Sequence, residues 1–181
     1  MERSPIVPGR GCGSCTLCCR VLAIDELDKP EGVLCRHCQS GRGCGIYPDR
    51  PESCRGFYCG YLALPFVGQH WFPDHCGMVV FPLSADRRLA VHVDPANPDA
   101  WKAEPFHSDL RKWAVAAEKM DFQVNVSIGR RVIAILPHAD VDLGDFGDGD
   151  SLVYDRHVVD GRSVLRARKV SVGGQPLRPA T

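Results

Sequence analysis

Nine of the ten cysteines in this 181-residue chain lie before residue 60, and four of them fall within eight consecutive residues. The tract from 12 to 19 reads Cys-Gly-Ser-Cys-Thr-Leu-Cys-Cys, which is a C-x2-C-x2-C-C pattern. Five further cysteines follow before residue 60, and one stands apart at position 76. Thiols at this density belong either to a disulfide framework or to a metal site, and the redox compartment decides between them.

The N-terminal residues 1–10 contain no apolar core of a secretory signal, and no run of about 18 apolar residues follows that would span a membrane. We therefore expect a cytoplasmic protein with reduced thiols and no membrane partner, which favours metal binding over disulfides. Lys plus Arg equals Asp plus Glu at 22 each, so the basic excess of a nucleic-acid-binding protein is missing. The expected partners are metal ions, and the sequence indicates no particular protein partner.

Composition divides the chain into two predicted domains, 1–62 and 63–181. The first is rich in Cys, Gly and Arg and poor in large apolar side chains, so it has little with which to offset the chain entropy of ordering. Metal coordination, at roughly 10–16 kcal/mol per structural zinc, supplies such stabilisation. We expect a metal-stapled module with little regular structure apart from one helix, Leu17 to Leu27, in which apolar residues recur at helical spacing.

The second region predicts a mixed α+β body with antiparallel strands and one amphipathic helix, so that the whole chain is α+β. Alternating or continuous apolar runs predict four strands, at 78–83, 89–94, 122–126 and 132–136. Asn97 and Pro98 predict the start of a helix. Its apolar stripe is expected to contain Phe106, Leu110, Trp113, Ala117 and Met120.

Three further patterns complete the prediction for this region. Asp160-Gly161 between β-rich runs indicates a hairpin turn. The tail after Gly173 is expected to be frayed. The acidic, glycine-rich stretch 140–150 lacks the spacing of an EF-hand, so we expect a solvated turn there rather than a calcium site.

The cysteine spacing is compatible with two kinds of metal centre. C-x2-C-x2-C with a remote fourth cysteine is the bacterial ferredoxin arrangement, and C-x2-C is also half of a tetrahedral zinc site. Side chains of the adjacent Cys18 and Cys19 rarely converge on one tetrahedral ion, so we expect two neighbouring four-cysteine centres. Two mononuclear centres fit this count most simply, which favours zinc, while iron or an iron–sulfur cluster with a redox role stays open.

These motifs resemble the CxxCxxCC family, also called the YkgJ-like cysteine cluster. The resemblance rests on the tract 12–19, on Cys35, and on residues 44–55, which read CGIYPDRPESCR and match C-x-IYxxRPxxCR. It covers about a third of the chain and implies a zinc- or iron-chelating domain. Related tracts in flagellin lysine methylases suggest a methyl-transfer-related role as an alternative. The metal ligands that the resemblance implies are Cys12, Cys15, Cys18, Cys19, Cys35, Cys44, Cys54 and Cys59.

Several positions stay open at this stage. Cys38 forms a C-x2-C with Cys35 but is not part of the hallmark, and Cys76 lies outside the pattern. His37, His70 and His75 stand near cysteines in the sequence and are candidate additional ligands. The chain has no P-loop, no G-x-G-x-x-G after a strand and no G-x-S-x-G, so no catalytic constellation is recognised and enzyme activity is undecided. A third interpretation is an interaction module in which the metal is only structural.

Overall fold

The computed structural model describes residues 6–39 and 41–171 and shows a mixed α+β protein. Its α-helices are α1 (Leu17–Val21), α2 (Glu52–Gly56), α3 (Gly60–Ala63), α4 (Pro73–Cys76) and α5 (Phe106–Lys119). Its strands are β1 (Cys38–Gln39), β2 (Gly43–Cys44), β3 (Met78–Leu83), β4 (Arg88–Val93), β5 (Gln123–Ile128), β6 (Arg131–Ile135), β7 (Asp140–Asp145), β8 (Asp150–Val159) and β9 (Arg162–Ser171). Short 3-10 helices span Asp25–Leu27, Tyr47–Asp49, Gln69–Trp71, Ser84–Asp86 and Ala100–Lys102.

The centre of the fold is a five-stranded sheet in the order β3-β4-β5-β6-β7. Neighbouring strands are antiparallel except β4 and β5, which run parallel and are joined by the segment containing α5. A parallel pair needs such a long crossover, whereas antiparallel neighbours are joined by short turns. The four predicted strands correspond to β3, β4, β5 and β6 and are confirmed.

One side of the sheet, here called the helix face, holds the main hydrophobic core. Alternate residues of β3 to β6 point to this side and pack against α5, with Leu110 fully buried and Ala114 nearly so. Trp71 and Trp101 fill the space beside the helix and are almost completely inaccessible. The predicted amphipathic helix is therefore confirmed in its central part.

Both ends of that helix differ from the prediction. It begins at Phe106, not at Pro98, because Pro105 disfavours helical backbone at the preceding residue. The Asn97-Pro98 segment instead leads into a single 3-10 turn. Met120 was expected in the apolar stripe but caps the helix and is 68% exposed, because the chain turns at Asp121 (φ 55°) to enter β5.

The β8–β9 hairpin follows β7 in the chain and packs against the five-stranded sheet. The Tyr154 hydroxyl donates to the Val124 carbonyl, and the Lys169 ammonium donates to the Asp145 carbonyl. The predicted turn at Asp160-Gly161 is confirmed, with positive φ at both residues. The tail after Gly173 lies outside the described residues.

The prediction of a solvated turn over 140–150 is wrong for its first half, which forms β7. This edge strand keeps its carboxylates outward, where they meet cations on neighbouring elements. Asp142 pairs with Arg131 on β6, and Asp140 pairs with His107 (2.7 Å) and Arg111 (2.8 Å) on α5. Outward charges of this kind protect an edge strand from pairing with another chain.

The other side of the sheet, here called the outer face, receives the cysteine-rich segment at β3. Leu17 and Val21 of α1 and Leu62 of α3 pack around Val79, which is fully inaccessible. Arg20 also pairs with Asp94 at 2.9 Å. The predicted boundary at residue 62 falls within α3, and the division into two domains stays a prediction.

The predicted helix from Leu17 to Leu27 is wrong in length, since α1 ends at Val21. The buried Lys29 side chain explains this ending. Its ammonium donates to the carbonyls of Arg20, Leu22 and Pro30, which takes up main-chain acceptors in the last turn of the helix and just after it. Within the described residues, no helix is long and apolar enough to cross a membrane.

Truncation of the core helix tests this packing. We expect Leu110→Ala to lower the free energy of unfolding by about 2–5 kcal/mol, because it leaves a cavity against the sheet. Val115→Ala on the exposed side of the same helix should cost less than about 1 kcal/mol. Urea denaturation of both variants measures the difference, and equal losses would contradict the assignment of the helix face as the core.

Candidate metal centre

Five cysteines line a small cavity between the cysteine-rich segment and the outer face of the sheet. We call it the thiol chamber; its volume is about 70 Å³ and its cysteines are Cys12, Cys15, Cys18, Cys54 and Cys59. Much of the remaining wall is apolar, with Phe57, Phe72 and Val79 among its residues, and Arg50 adds a positive charge. The chamber therefore brings together cysteines up to 47 residues apart in the sequence.

Local structure explains how these thiols meet. Gly13 has φ 54°, which permits the tight turn in which Cys15 N–H donates to the Cys12 carbonyl at 2.9 Å. Cys18 lies in α1 and Cys59 precedes α3, and both helices pack on Val79. The segment before Cys12 is fixed by Arg10, whose guanidinium donates to the carbonyls of Tyr61 and Leu64.

Cys19, Cys35, Cys38 and Cys44 form a second cluster, which we call the outer thiol group. The thiols of Cys19 and Cys38 interact, and this interaction lowers the pKa of Cys19 and contributes to raising that of Cys38. Cys35 N–H donates to the Cys19 carbonyl at 2.9 Å, and Cys38 pairs with Cys44 across the β1–β2 ladder. Cys38, whose role the sequence left open, therefore stands with predicted ligands.

Cys54 connects the two clusters. It lines the thiol chamber, yet its thiol also interacts electrostatically with Cys19, Cys35 and Cys44. The side chains of the adjacent Cys18 and Cys19 also interact, and this interaction shifts the pKa values of the two thiols in opposite directions. The eight predicted ligands thus lie in two adjoining clusters.

The adjacent thiols of Cys18 and Cys19 differ in pKa. Interaction with the Cys18 side chain lowers the pKa of Cys19 to about 6, and Cys38, Lys29 and Arg50 contribute in the same direction. The same interaction raises the pKa of Cys18, with burial adding to the effect. The Cys19 thiol therefore ionises more readily than an ordinary cysteine, close to the cations Lys29 and Arg50.

Burial has the opposite effect on the chamber thiols. It raises the pKa of Cys15 to about 11 and raises the pKa values of Cys12, Cys54 and Cys59 as well. An apolar wall disfavours the charged form of a thiol. A metal ion offsets this cost because it binds the thiolate directly.

The thiols do not stand in the tight geometry of a single occupied ion site. Across the described ranges 6–39 and 41–171, no three His, Cys, Asp or Glu side chains converge closely enough to hold one metal ion. The histidines considered from sequence have other contacts: His70 pairs with Asp109 at 2.7 Å, His75 packs edge-on against Phe72, and His37 accepts from Arg36.

Cys76 is part of the core of the body. It is 7% exposed, its thiol lies 3.4 Å from the Met78 carbonyl, and burial raises its pKa to about 11. It does not line the thiol chamber. Cys76 therefore provides a matched control for substitutions of chamber cysteines.

Side-chain contacts hold the segment between Cys44 and Cys54. Tyr47 is 54% exposed, and the Arg50 guanidinium lies over its ring at 4.0 Å from the centroid. Arg55 donates to the Arg50 carbonyl. The Glu26 carboxylate accepts from the backbone and hydroxyl of Ser53 at the start of α2, where main-chain donors lack partners.

Sequence reasoning did not find Lys29, a residue that is 6% exposed and close to Cys18, Cys19 and Cys35. Its ammonium is held by three carbonyls, so the positive charge is fixed beside the outer thiol group. A single lysine among ordinary charged residues carries no motif, so no pattern in the sequence signals this role.

Comparison of the chain with protein-family models, curated proteins and solved structures finds no match. The resemblance to the CxxCxxCC family therefore rests on the cysteine motifs alone and stays a prediction.

The raised thiol pKa values predict how metal uptake depends on pH. Chamber thiols are protonated at neutral pH and must release their protons to bind metal, so affinity should rise with pH. We expect apparent Zn²⁺ affinity, measured by competition with a chromophoric chelator, to rise by more than about tenfold per unit from about pH 6 to pH 8. Cys76→Ala should leave this slope unchanged, and a flat profile would contradict a thiolate site.

Proposed function

We propose that this protein is a cytoplasmic metal-binding protein whose N-terminal cysteines chelate zinc or iron. The observation that carries the proposal is the near absence of a core in the cysteine-rich segment. Between Asp25 and Tyr58, the described residues include just two buried ones, Lys29 and Cys35. Apolar burial is too small to hold these residues in a defined arrangement, and metal–thiolate bonds supply the missing stabilisation.

The donor set suits such metals. All ten cysteines are free thiols, and nine of them form or adjoin the chamber and the outer thiol group. Thiolates are the preferred ligands of structural zinc and of iron–sulfur clusters. Lys29 and Arg50 offset part of the negative charge that several neighbouring thiolates would bring.

The two proposed centres can be assigned to the two thiol clusters. One centre would use Cys12, Cys15, Cys18 and Cys59 in the chamber, and the other would use Cys19, Cys35 and Cys44 with Cys54 or Cys38. A mononuclear zinc suits the outer group, because Cys38 lies opposite Cys44 in the β1–β2 ladder and the Cys35 amide donates to the Cys19 carbonyl.

An iron–sulfur cluster in the chamber is a second candidate, favoured by the size of that cavity. Four thiolates at about 2.3 Å from a zinc ion leave no empty space between them. A cluster fills a larger volume because its cysteines bind different iron atoms. A chamber of about 70 Å³ lined by five cysteines fits this second arrangement.

Two roles are proposed for the metal. A structural metal that supports an interaction surface requires no further chemistry from the chain. A redox or methyl-transfer-related role requires an iron–sulfur cluster and rests on the resemblance alone. Metal identity therefore separates the two.

Elemental analysis of protein purified without oxygen tests the proposal. We expect bound zinc or iron in the wild type and in Cys76→Ala, and about half of that metal in Cys15→Ala, because the chamber loses a central ligand while the outer thiol group keeps its own. Cys15→Ala should also unfold at a lower temperature in a thermal scan. Acid-labile sulfide and broad visible absorption would identify an iron–sulfur cluster, whereas colourless protein with zinc would exclude it.

Two outcomes would contradict the proposal. Wild-type protein with neither zinc nor iron would remove metal binding altogether. Retention of the full wild-type metal content with unchanged thermal stability in Cys15→Ala would show that the chamber is not a metal centre.

A further inference from the structure

A second cavity, unrelated to the cysteines, opens on the outer face of the sheet beside the β8–β9 hairpin. Its volume is about 270 Å³, below the roughly 300–1,000 Å³ of clefts for drug-sized ligands. The floor is formed by β4 and β5, and one wall by Phe146 and the start of β8. We call it the sheet cleft.

The residues that form the floor of the sheet cleft are small or polar, unlike the apolar residues on the other face of the same strands. On the helix face, β4 and β5 present Leu89, Val91, Val124 and Val126. On the outer face the same strands present Ala90 opposite Asn125 and His92 opposite Ser127. Small and polar side chains at the centre of a covered sheet leave space and keep hydrogen-bonding groups available to a ligand.

Asn125 is the most informative residue of this floor. It is 5% exposed, its amide nitrogen donates to the Ser127 hydroxyl at 3.3 Å, and its Oδ1 has no partner among the described residues. A buried acceptor without a donor costs about 1–3 kcal/mol. A ligand that donates a hydrogen bond to Oδ1 would offset this cost.

The cleft also presents charges of both signs. Arg88 contributes a guanidinium with five donors, one of which meets Asp86 at 3.1 Å. Asp150 lies at the start of β8 and is kept ionised by the Gly147 amide, Ser171 and Lys169. His92 faces Glu31 at 3.1 Å, but its Nδ1 is not aligned for a hydrogen bond.

Apolar contacts complete the lining. Phe146, Leu152 and Val132 border the polar groups. A ligand with one cationic donor, one anionic acceptor and an apolar remainder matches this set. Its size is limited by the cavity to that of a single residue or a little more.

We infer that the sheet cleft binds a small zwitterion of the α-amino acid class with an apolar side chain. The carboxylate accepts hydrogen bonds from Arg88, the ammonium donates to Asn125 Oδ1 and faces Asp150, and the side chain packs on Phe146 and Leu152. Charge-assisted hydrogen bonds of this kind are stronger than neutral ones. The site uses none of the cysteines and is independent of the proposed metal centre.

Isothermal titration of the full, metal-loaded chain with L-leucine and with L-phenylalanine tests this inference. We expect one molecule of at least one of them to bind per chain. The methyl ester and the N-acetyl form of the same amino acid should each bind about tenfold or more weakly, because each removes one of the two charges.

Paired variants locate the binding. Arg88→Gln should weaken binding about tenfold or more. Arg87→Gln should not, because the Arg87 guanidinium donates to the carbonyls of Met120 and Asp121 instead. Ser151→Tyr, at an exposed position on the cleft rim, should block the cavity without disturbing the core.

Metal content measured on the same samples separates this inference from the metal proposal. An amino acid bound through the metal would keep its affinity in Arg88→Gln and Ser151→Tyr, and that result would overturn the inference. Absence of binding by both amino acids at millimolar concentration would also overturn it, whatever the metal content.

Discussion

The packing of α1 and α3 around Val79 determines where the cysteines stand. Leu17 and Val21 hold one end of the cysteine-rich segment against β3, and Leu62 holds the other. The chain between these anchors carries only short elements such as β1, β2 and α2. It has almost no apolar core from Asp25 to Tyr58, so burial alone holds it weakly in place. Its cysteines nevertheless meet in two adjoining clusters, which is the arrangement that a bound metal would stabilise.

Electrostatic interactions determine how readily the thiols of these clusters ionise. The apolar wall of the chamber raises the pKa of Cys15 and Cys59, so a nearby cation is needed to make several thiolates favourable there. Lys29 and Arg50 lower the pKa of Cys19 at the junction of the clusters. Fixed side-chain cations and the proposed metal would thus act together, and neither would suffice alone for so many thiols.

Helices and strands were predictable from the sequence where apolar residues recur with one clear periodicity. The apolar alternation around Val91 and Val126 and the helical stripe at Leu110 define the main sheet and α5. Boundaries were less predictable, because they depend on contacts distant in sequence, such as the lysine that follows α1, or on a proline within a helical pattern, such as Pro105. The strand at Asp140–Asp145 was missed because its acidic residues conceal an edge position that tertiary pairing stabilises.

The candidate site was likewise predictable from the sequence only in part. Thiol spacing identified which cysteines belong together, because the side-chain chemistry is visible in the sequence. It could not place Cys38 with Cys44, which depends on the β1–β2 ladder, or find the sheet cleft, which depends on the register of Ala90 with Asn125. Separating Cys76 from the clusters likewise required its position in the core.

X-ray absorption at the zinc and iron edges of anaerobically purified protein tests the central claim most directly. The account predicts a first shell of sulfur at about 2.3 Å around the bound metal. A second shell of iron would indicate a cluster in the chamber. A first shell made of oxygen and nitrogen, without sulfur, would contradict the assignment of these cysteines as metal ligands.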